Sequence, residues 1–180
     1  MNYHLFQLVN SAAGLNDPVD DVFEWSAVWL IYVLAVAATV PVLGSLRRGR
    51  AAVVRVVVTL AVAFAVGQLV SAASTEVRPF QTHPVHQLIP HAAGSSLPSD
   101  HATAAFAVAF AAFTFLSWRW GLALTILATV IGFARVWTGV HYPADILVGA
   151  LIAASAVSVV VAGGRVYERW AHRRRTGTLA

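Results

Sequence analysis

The chain has 180 residues, of which 58% are hydrophobic and only 11% charged, with a mean hydropathy of +0.71 and no cysteine. A soluble globular domain carries roughly a quarter charged residues, so composition excludes that class, intrinsic disorder, and every disulfide or thiolate-metal chemistry. All 12 basic side chains are arginine, against 8 acids and 7 histidines, and the pI of about 10.3 leaves nucleic acid and membrane topology as competing explanations until the arginines are placed.

The first residues are amphipathic. Leu5, Phe6, Leu8, Val9, Ala12 and Ala13 recur at helical spacing, with His4, Gln7, Asn10 and Ser11 opposite, which predicts a short helix lying in the membrane surface and ending at Gly14. A cleavable leader is not expected, because no basic segment precedes an apolar core. Asp17-Pro18 reads as an N-cap followed by proline at the first helical position, with Asp20, Asp21 and Glu24 in the next turns. A frayed terminal tail is the alternative.

Five stretches then approach the roughly 20 apolar residues that a membrane-crossing helix needs. They run from Val22 to Leu43, Ala52 to Val70, Ala102 to Ser117, Trp120 to Val136, and Pro143 to Ala162; the third is short. No internal repeat appears, so the expected architecture is an all-α, polytopic helical bundle of one domain, residues 1–180. Within it, 1–16 form the interfacial helix, 17–163 the transmembrane core and 164–180 a basic cytoplasmic tail. Trp25, Trp29, Trp118, Trp120, Trp137 and Trp170 fall near span ends and read as interface anchors.

Five alternating spans put Arg47, Arg48, Arg50, Arg55, Arg119, Arg165, Arg169, Arg173, Arg174 and Arg175 on one side. Short basic connections stay cytoplasmic, so topology, not nucleic acid, accounts for the charge. Arg78 and Arg135 fall on the opposite, outward face and break that rule. With them come Ser99, His101, His141 and Asp145, and ionisable groups at a membrane boundary commonly mark function.

These residue types suit phosphoryl transfer. Arginine donates bidentate hydrogen bonds to phosphate oxygens and stays charged. Pro98-Ser99-Asp100-His101 opens a span, where backbone N–H groups and the helix dipole favour an anion. His141 and Asp145 are four apart, so the carboxylate can fix the imidazole tautomer and leave the other nitrogen free to attack, with His101 protonating the leaving oxygen. Taken singly, each residue reads as an interfacial anchor, a helix-surface pair or a cap. The ordered set Arg-Pro, Pro-Ser-x-His and Arg-x5-His-x3-Asp on one face is much harder to explain that way.

The set resembles the type-2 phosphatidic acid phosphatase superfamily of lipid phosphate phosphatases, whose signatures are Lys-x6-Arg-Pro, Pro-Ser-Gly-His and Ser-Arg-x5-His-x3-Asp. Matches fall at Arg78 and Pro79, at Pro98, Ser99 and His101, and at Arg135, His141 and Asp145. The resemblance implies a phosphatase with no metal and no other cofactor. His141 would carry the phosphoryl group, Asp145 would orient it and His101 would be the acid; Arg78, Arg135 and Ser99 would bind phosphate oxygens. Three positions depart: Ser71 stands at the lysine, Ala134 at the serine before Arg135, and Asp100 at the glycine.

Pro-Ser-Asp-His, with Arg-Pro-Phe, His83-Pro84-Val85-His86, Pro90-His91 and Gly139-Val140-His141-Tyr142-Pro143, looks like the bacitracin-resistance branch of undecaprenyl-diphosphate phosphatases. That branch implies hydrolysis of undecaprenyl diphosphate to undecaprenyl phosphate outside the cytoplasmic membrane, feeding the carrier cycle of peptidoglycan synthesis. The implied partners are a polyprenyl diphosphate and membrane lipids, with no nucleic acid; the sequence carries no signal for oligomeric state. Ser71, Pro98, Asp100, His83, His86, His91 and Gly139 are the further candidate headgroup contacts. A metal site at His83, His86 and His91 is the competing reading of that run, and Glu76 reads as a partner for an arginine. The alternative substrates are phosphatidylglycerol phosphate, phosphatidic acid or another isoprenoid phosphate. A transporter or an inactive lipid-binding protein are the alternatives of other classes. Against transport, the charges gather at one boundary rather than at the midplane.

Overall fold

The computed structural model describes residues 2–47 and 49–177, with side chains through residue 174. Helices form the bundle: α1 (Asn2–Asn10), α2 (Asp17–Leu46), α3 (Ala51–Ala73), the single turn α4 (Pro79–Thr82), α5 (Asp100–Ala111), α6 (Trp118–Trp137) and α7 (Pro143–Gly177). Four of them, α2, α3, α6 and α7, are long and apolar enough to cross a membrane. The expected third span is shorter, an apolar stretch over Asp100–Leu116 whose last five residues, Ala112–Leu116, are wound as a π-helix. The protein is an all-α membrane protein. Residues 164–177 continue the winding of α7; Arg48 and the side chain of Arg175 lie outside the described residues.

α5 occupies the middle. Ala102, Ala105, Ala107, Ala109 and Ala111 are buried along it, and it packs on α3, α6 and α7. Alanine lets backbones approach closely where lipid supplies no hydrophobic drive. Gly149 of α7 makes one such close approach, since a Cβ there would stand 2.8 Å from Thr103 Oγ1. The start of α5 is thereby pressed against the start of α7.

The cap of α2 is Asn16, not Asp17: its side chain accepts from the Val19 N–H at 3.2 Å. Asp20 is buried and accepts from the Gly14 N–H at 3.0 Å and from Trp137 Nε1 at 2.8 Å. Trp137 also packs on Phe23 and Phe133, so it is an internal bracket rather than an interface anchor. Trp25, Trp29, Trp118 and Trp170 are exposed.

α1 forms where the amphipathic pattern predicts. Phe6 is buried against Val136 and Tyr142, while Leu8 is 75% exposed. Asn10 falls on the expected polar face yet is buried. Its amide donates to the carbonyls of His86 and Trp137 and accepts from the His86 N–H at 3.0 Å. Glu76 accepts from Asn2 at 3.2 Å rather than pairing with an arginine. α1 therefore ties the α4–α5 connection to the ends of α6 and α7.

Candidate active site

The spacing Arg-x5-His follows from how α6 stops. Thr138 is its C-cap, and Gly139 has a φ of +80°, the left-handed conformation that glycine accepts without a Cβ penalty. The Gly139 N–H donates to the Val136 carbonyl at 3.1 Å and the Val140 N–H to the Arg135 carbonyl at 3.2 Å, which is a Schellman ending. The Arg135 carbonyl also accepts from the His141 N–H at 3.2 Å. The turn thus folds His141 back beside the helix residue six positions earlier. Gly139 is fixed on a second ground: a Cβ there would meet the His86 carbonyl oxygen at 2.6 Å.

α7 begins at once, with Pro143 at its first position. Asp145 reaches back to accept from the Tyr142 N–H at 2.8 Å, half of a capping box. The same oxygen, Oδ2, accepts from His141 Nδ1 at 3.1 Å and from the Ser96 hydroxyl. His141 thus sits two residues ahead of α7, and the pair is joined through a helix cap rather than along one helix face. Ser96, His141 and Asp145 are all buried.

Arg78 precedes Pro79 at the start of α4. Its N–H donates to Gln81 Oε1 at 3.2 Å, which also accepts from the Gly94 N–H at 2.9 Å. An isolated antiparallel bridge joins Val77 to Ser95, and the Ser96 N–H donates to the Glu76 carbonyl at 2.8 Å. These contacts hold Arg78 so that Nη1 donates to the Val140 carbonyl at 3.4 Å and to His141 Nε2 at 2.9 Å.

Burial pushes His141 down to about 4, further lowered by Arg135 and Arg78 and opposed by Asp145. The imidazole is therefore neutral at pH 7, and its contact with Asp145 is a hydrogen bond rather than an ion pair. Desolvation also lowers Arg78, with Asp100 and Asp145 opposing; arginine nevertheless stays protonated. Arg135 is only 3% exposed. Its Nη1 donates to the Ala27 carbonyl at 3.3 Å, while Nε and Nη2, like Arg78 Nε, are buried without a hydrogen-bond partner. A buried cation with unsatisfied donors is costly, and an anion supplies what these lack.

The structure brings together Arg78, Arg135, His91, His101, His141, Asp100 and Asp145, which act electrostatically on one another. His91 is closer to His141 than its place in the loop suggests, with its ring edge-on at 6.0 Å; burial and the two arginines lower it. Ser99 is buried as the N-cap of α5, accepting from the Ala102 N–H at 3.5 Å, and its own N–H donates to the Asp145 carbonyl at 3.3 Å. Pro98 precedes it on a cis peptide bond. Asp100, the exposed first residue of α5, faces α3 across a groove.

His83 and His86 go elsewhere. The His83 ring stands 3.9 Å from that of Tyr3, and His86 faces Gly14. Among the described residues no group of three or more His, Asp or Glu is arranged to hold a metal ion, so His83, His86 and His91 do not form the competing ligand set. Ser71 lies in the last turn of α3, its carbonyl accepting from the Ser74 N–H at 3.3 Å.

A helical membrane bundle with two arginines, a carboxylate-backed histidine and a second histidine at the start of a central helix defines a class, and the chain matches that class over residues 52–169: it belongs to the PAP2 superfamily. Among its relatives, it is 34% identical to the undecaprenyl-diphosphatase BcrC of Bacillus subtilis (strain 168), over 86% of this chain and 79% of that protein. It is 35% identical to the putative undecaprenyl-diphosphatase YbjG of Escherichia coli (strain K12), over 84% and 76%. The crystal structure of Aquifex aeolicus LpxE superposes with a TM-score of 0.71 at 25% identity, covering 89% of this chain and 94% of that one.

Proposed function

We propose that the protein is a lipid diphosphatase that converts undecaprenyl diphosphate to undecaprenyl phosphate and inorganic phosphate. The observation that carries this reading is the buried Arg135 guanidinium, with Nε and Nη2 unpartnered, in the same cluster as a neutral His141 whose Nε2 accepts from Arg78. Such a site calls for an anion and holds a nucleophile ready for it. The names of the relatives supply the lipid.

In the proposed reaction the terminal phosphate displaces the Arg78 Nη1 contact, and its oxygens take donors from Arg78, Arg135 and the Ser99 end of α5. His141 Nε2 attacks phosphorus, and the bond to the bridging oxygen breaks. His101 protonates the departing lipid monophosphate. Asp145 keeps the Nδ1 proton in place and stabilises the positive ring as it forms. Water then attacks the phosphohistidine with His101 as base, and inorganic phosphate leaves.

Arginine placement supports a site on the extracytoplasmic face and a cytoplasmic C-terminus, with α1 in the outer membrane surface in this reading. There the enzyme would recycle the cell-wall lipid carrier and confer bacitracin resistance. The test is phosphate release by purified protein from a panel of lipid monophosphates and diphosphates, with and without excess chelator. Undecaprenyl diphosphate is expected to be the best substrate, with no effect of chelator. Faster cleavage of phosphatidylglycerol phosphate or phosphatidic acid would refute the substrate, and loss of activity restored by a divalent ion would refute the metal-free mechanism.

A further inference from the structure

We propose that His91 holds the phosphate that stays on the lipid, and so selects diphosphates over monophosphates; this rests on the lipid-diphosphatase reading above. The connection that carries His91 is held at several points. The Leu88 N–H donates to the Thr138 carbonyl at 3.2 Å, and the Gln87 amide to the Ile89 carbonyl at 3.0 Å. Ile89 is buried in a cluster with Ala27, Ala134 and Val140, beside the end of α6 and the turn that leads to His141. Pro90 follows with its φ fixed by the ring. Two residues after a buried anchor, His91 is thereby set against the site.

His91 adjoins both histidines of the proposed reaction. Its ring lies edge-on to that of His141, with centroids 6.0 Å apart, and its charge acts on His101. The bond that breaks lies between those two, one attacking phosphorus and the other protonating the bridging oxygen. A group that adjoins both therefore flanks the bridging oxygen and the phosphate beyond it. With the reacting atoms about 3 Å apart, two further P–O bonds put the second phosphorus about 6 Å from His141 Nε2. Of the basic side chains gathered there, Arg78, Arg135, His101 and His141 have parts in that reaction, and His91 is the one left.

The Ala92 carbonyl only accepts, so in their 3.2 Å contact His91 Nδ1 carries the proton and Nε2 stays open. Burial, Arg78 and Arg135 favour the neutral ring, while Asp100 favours the protonated one. A bound diphosphate offsets the two guanidinium charges. Nε2 then takes a proton from solvent and donates a hydrogen bond to a non-bridging oxygen of the lipid-side phosphate. Asp100, an acid beside an anion site, serves here to support that imidazolium.

Farnesyl diphosphate and farnesyl monophosphate share a C15 tail and differ only in that phosphate. Their kcat/KM values are compared in wild type, His91→Ala and His91→Gln, the glutamine keeping bulk without the charge. Where the monophosphate turns over too slowly to time, its Ki against the diphosphate takes the place of its kcat/KM. Both variants are expected to lose about tenfold or more on the diphosphate relative to the monophosphate, as for loss of a charged hydrogen bond. A loss on the monophosphate that matches or exceeds that on the diphosphate, or no loss on either, would overturn the assignment of His91. Wild-type protein with no activity on the diphosphate overturns the diphosphatase reading itself, and the assignment with it.

Discussion

Arg78 Nη1 donates to Nε2 of His141 at 2.9 Å. A guanidinium has no acceptor, so Nε2 carries the lone pair and the ring proton sits on Nδ1, facing Asp145 Oδ2 at 3.1 Å. The tautomer that the proposed attack needs is thus set by the neighbours before any substrate arrives. In the proposed reaction, the group that covers the lone pair is one that the incoming phosphate attracts away.

Nitrogen chemical shifts of labelled His141 should show the neutral Nδ1–H tautomer at pH 7 and protonation only near the lowered value of about 4. The sign follows from linkage: unfolded chain binds a proton near 6.5 while the folded ring does not. Stability from this group is therefore full above 6.5 and declines as pH falls towards 4. Titration near 6.5, or an Nε2–H tautomer, would contradict the assignment.

Asp145 Oδ2 collects three donors, and Ser96 is the one that the motifs leave out. Ser96→Ala should lower kcat about tenfold with KM unchanged, since about 1–3 kcal/mol attends the loss of a buried partner. Asp145→Asn should cost about 10⁴-fold, because an amide does not hold the tautomer. An unchanged kcat in Ser96→Ala would remove it from the positioning chain.

Arg135→Lys retains charge but loses the planar fork. With Nε and Nη2 serving the phosphate, kcat/KM should fall by about 10²–10³, as for loss of a transition-state donor. Activity within threefold of wild type would show that those nitrogens do not meet the reacting phosphate.

Gly139→Ala places a Cβ at a φ of +80° and 2.6 Å from the His86 carbonyl oxygen. The left-handed conformation alone costs about 1–2 kcal/mol, and the contact adds to it. Thermal unfolding in detergent should show a lower Tm together with reduced turnover, as His141 loses its place against the end of α6. An unaltered Tm would mean that the turn relaxes freely.

The helices and the residues of the candidate site were legible because both are written locally. Apolar runs of spanning length give α2, α3, α6 and α7, and the arginine and histidine motifs fall within a few positions of helix ends. The supports were not legible, because each is a polar residue whose partner is remote in the chain. Ser96 meets Asp145 49 positions away, Asn10 meets Trp137 127 away, and Asp20 meets Trp137 117 away. Local patterning places Asn10 on a wet face and Trp137 at an interface, and packing of α1 and α2 on α6 overrides both. The histidine run likewise looks alike in sequence, yet only His91 turns towards His141.

The most direct measurement is chemical quenching of the protein during turnover of undecaprenyl diphosphate labelled with ³²P in its terminal phosphate. The account predicts a transient protein-bound label, stable to base and labile to acid, that maps to His141 and is absent from His141→Ala together with all turnover. Phosphate release by His141→Ala, or full turnover in wild type with no labelled protein at any time, would contradict it.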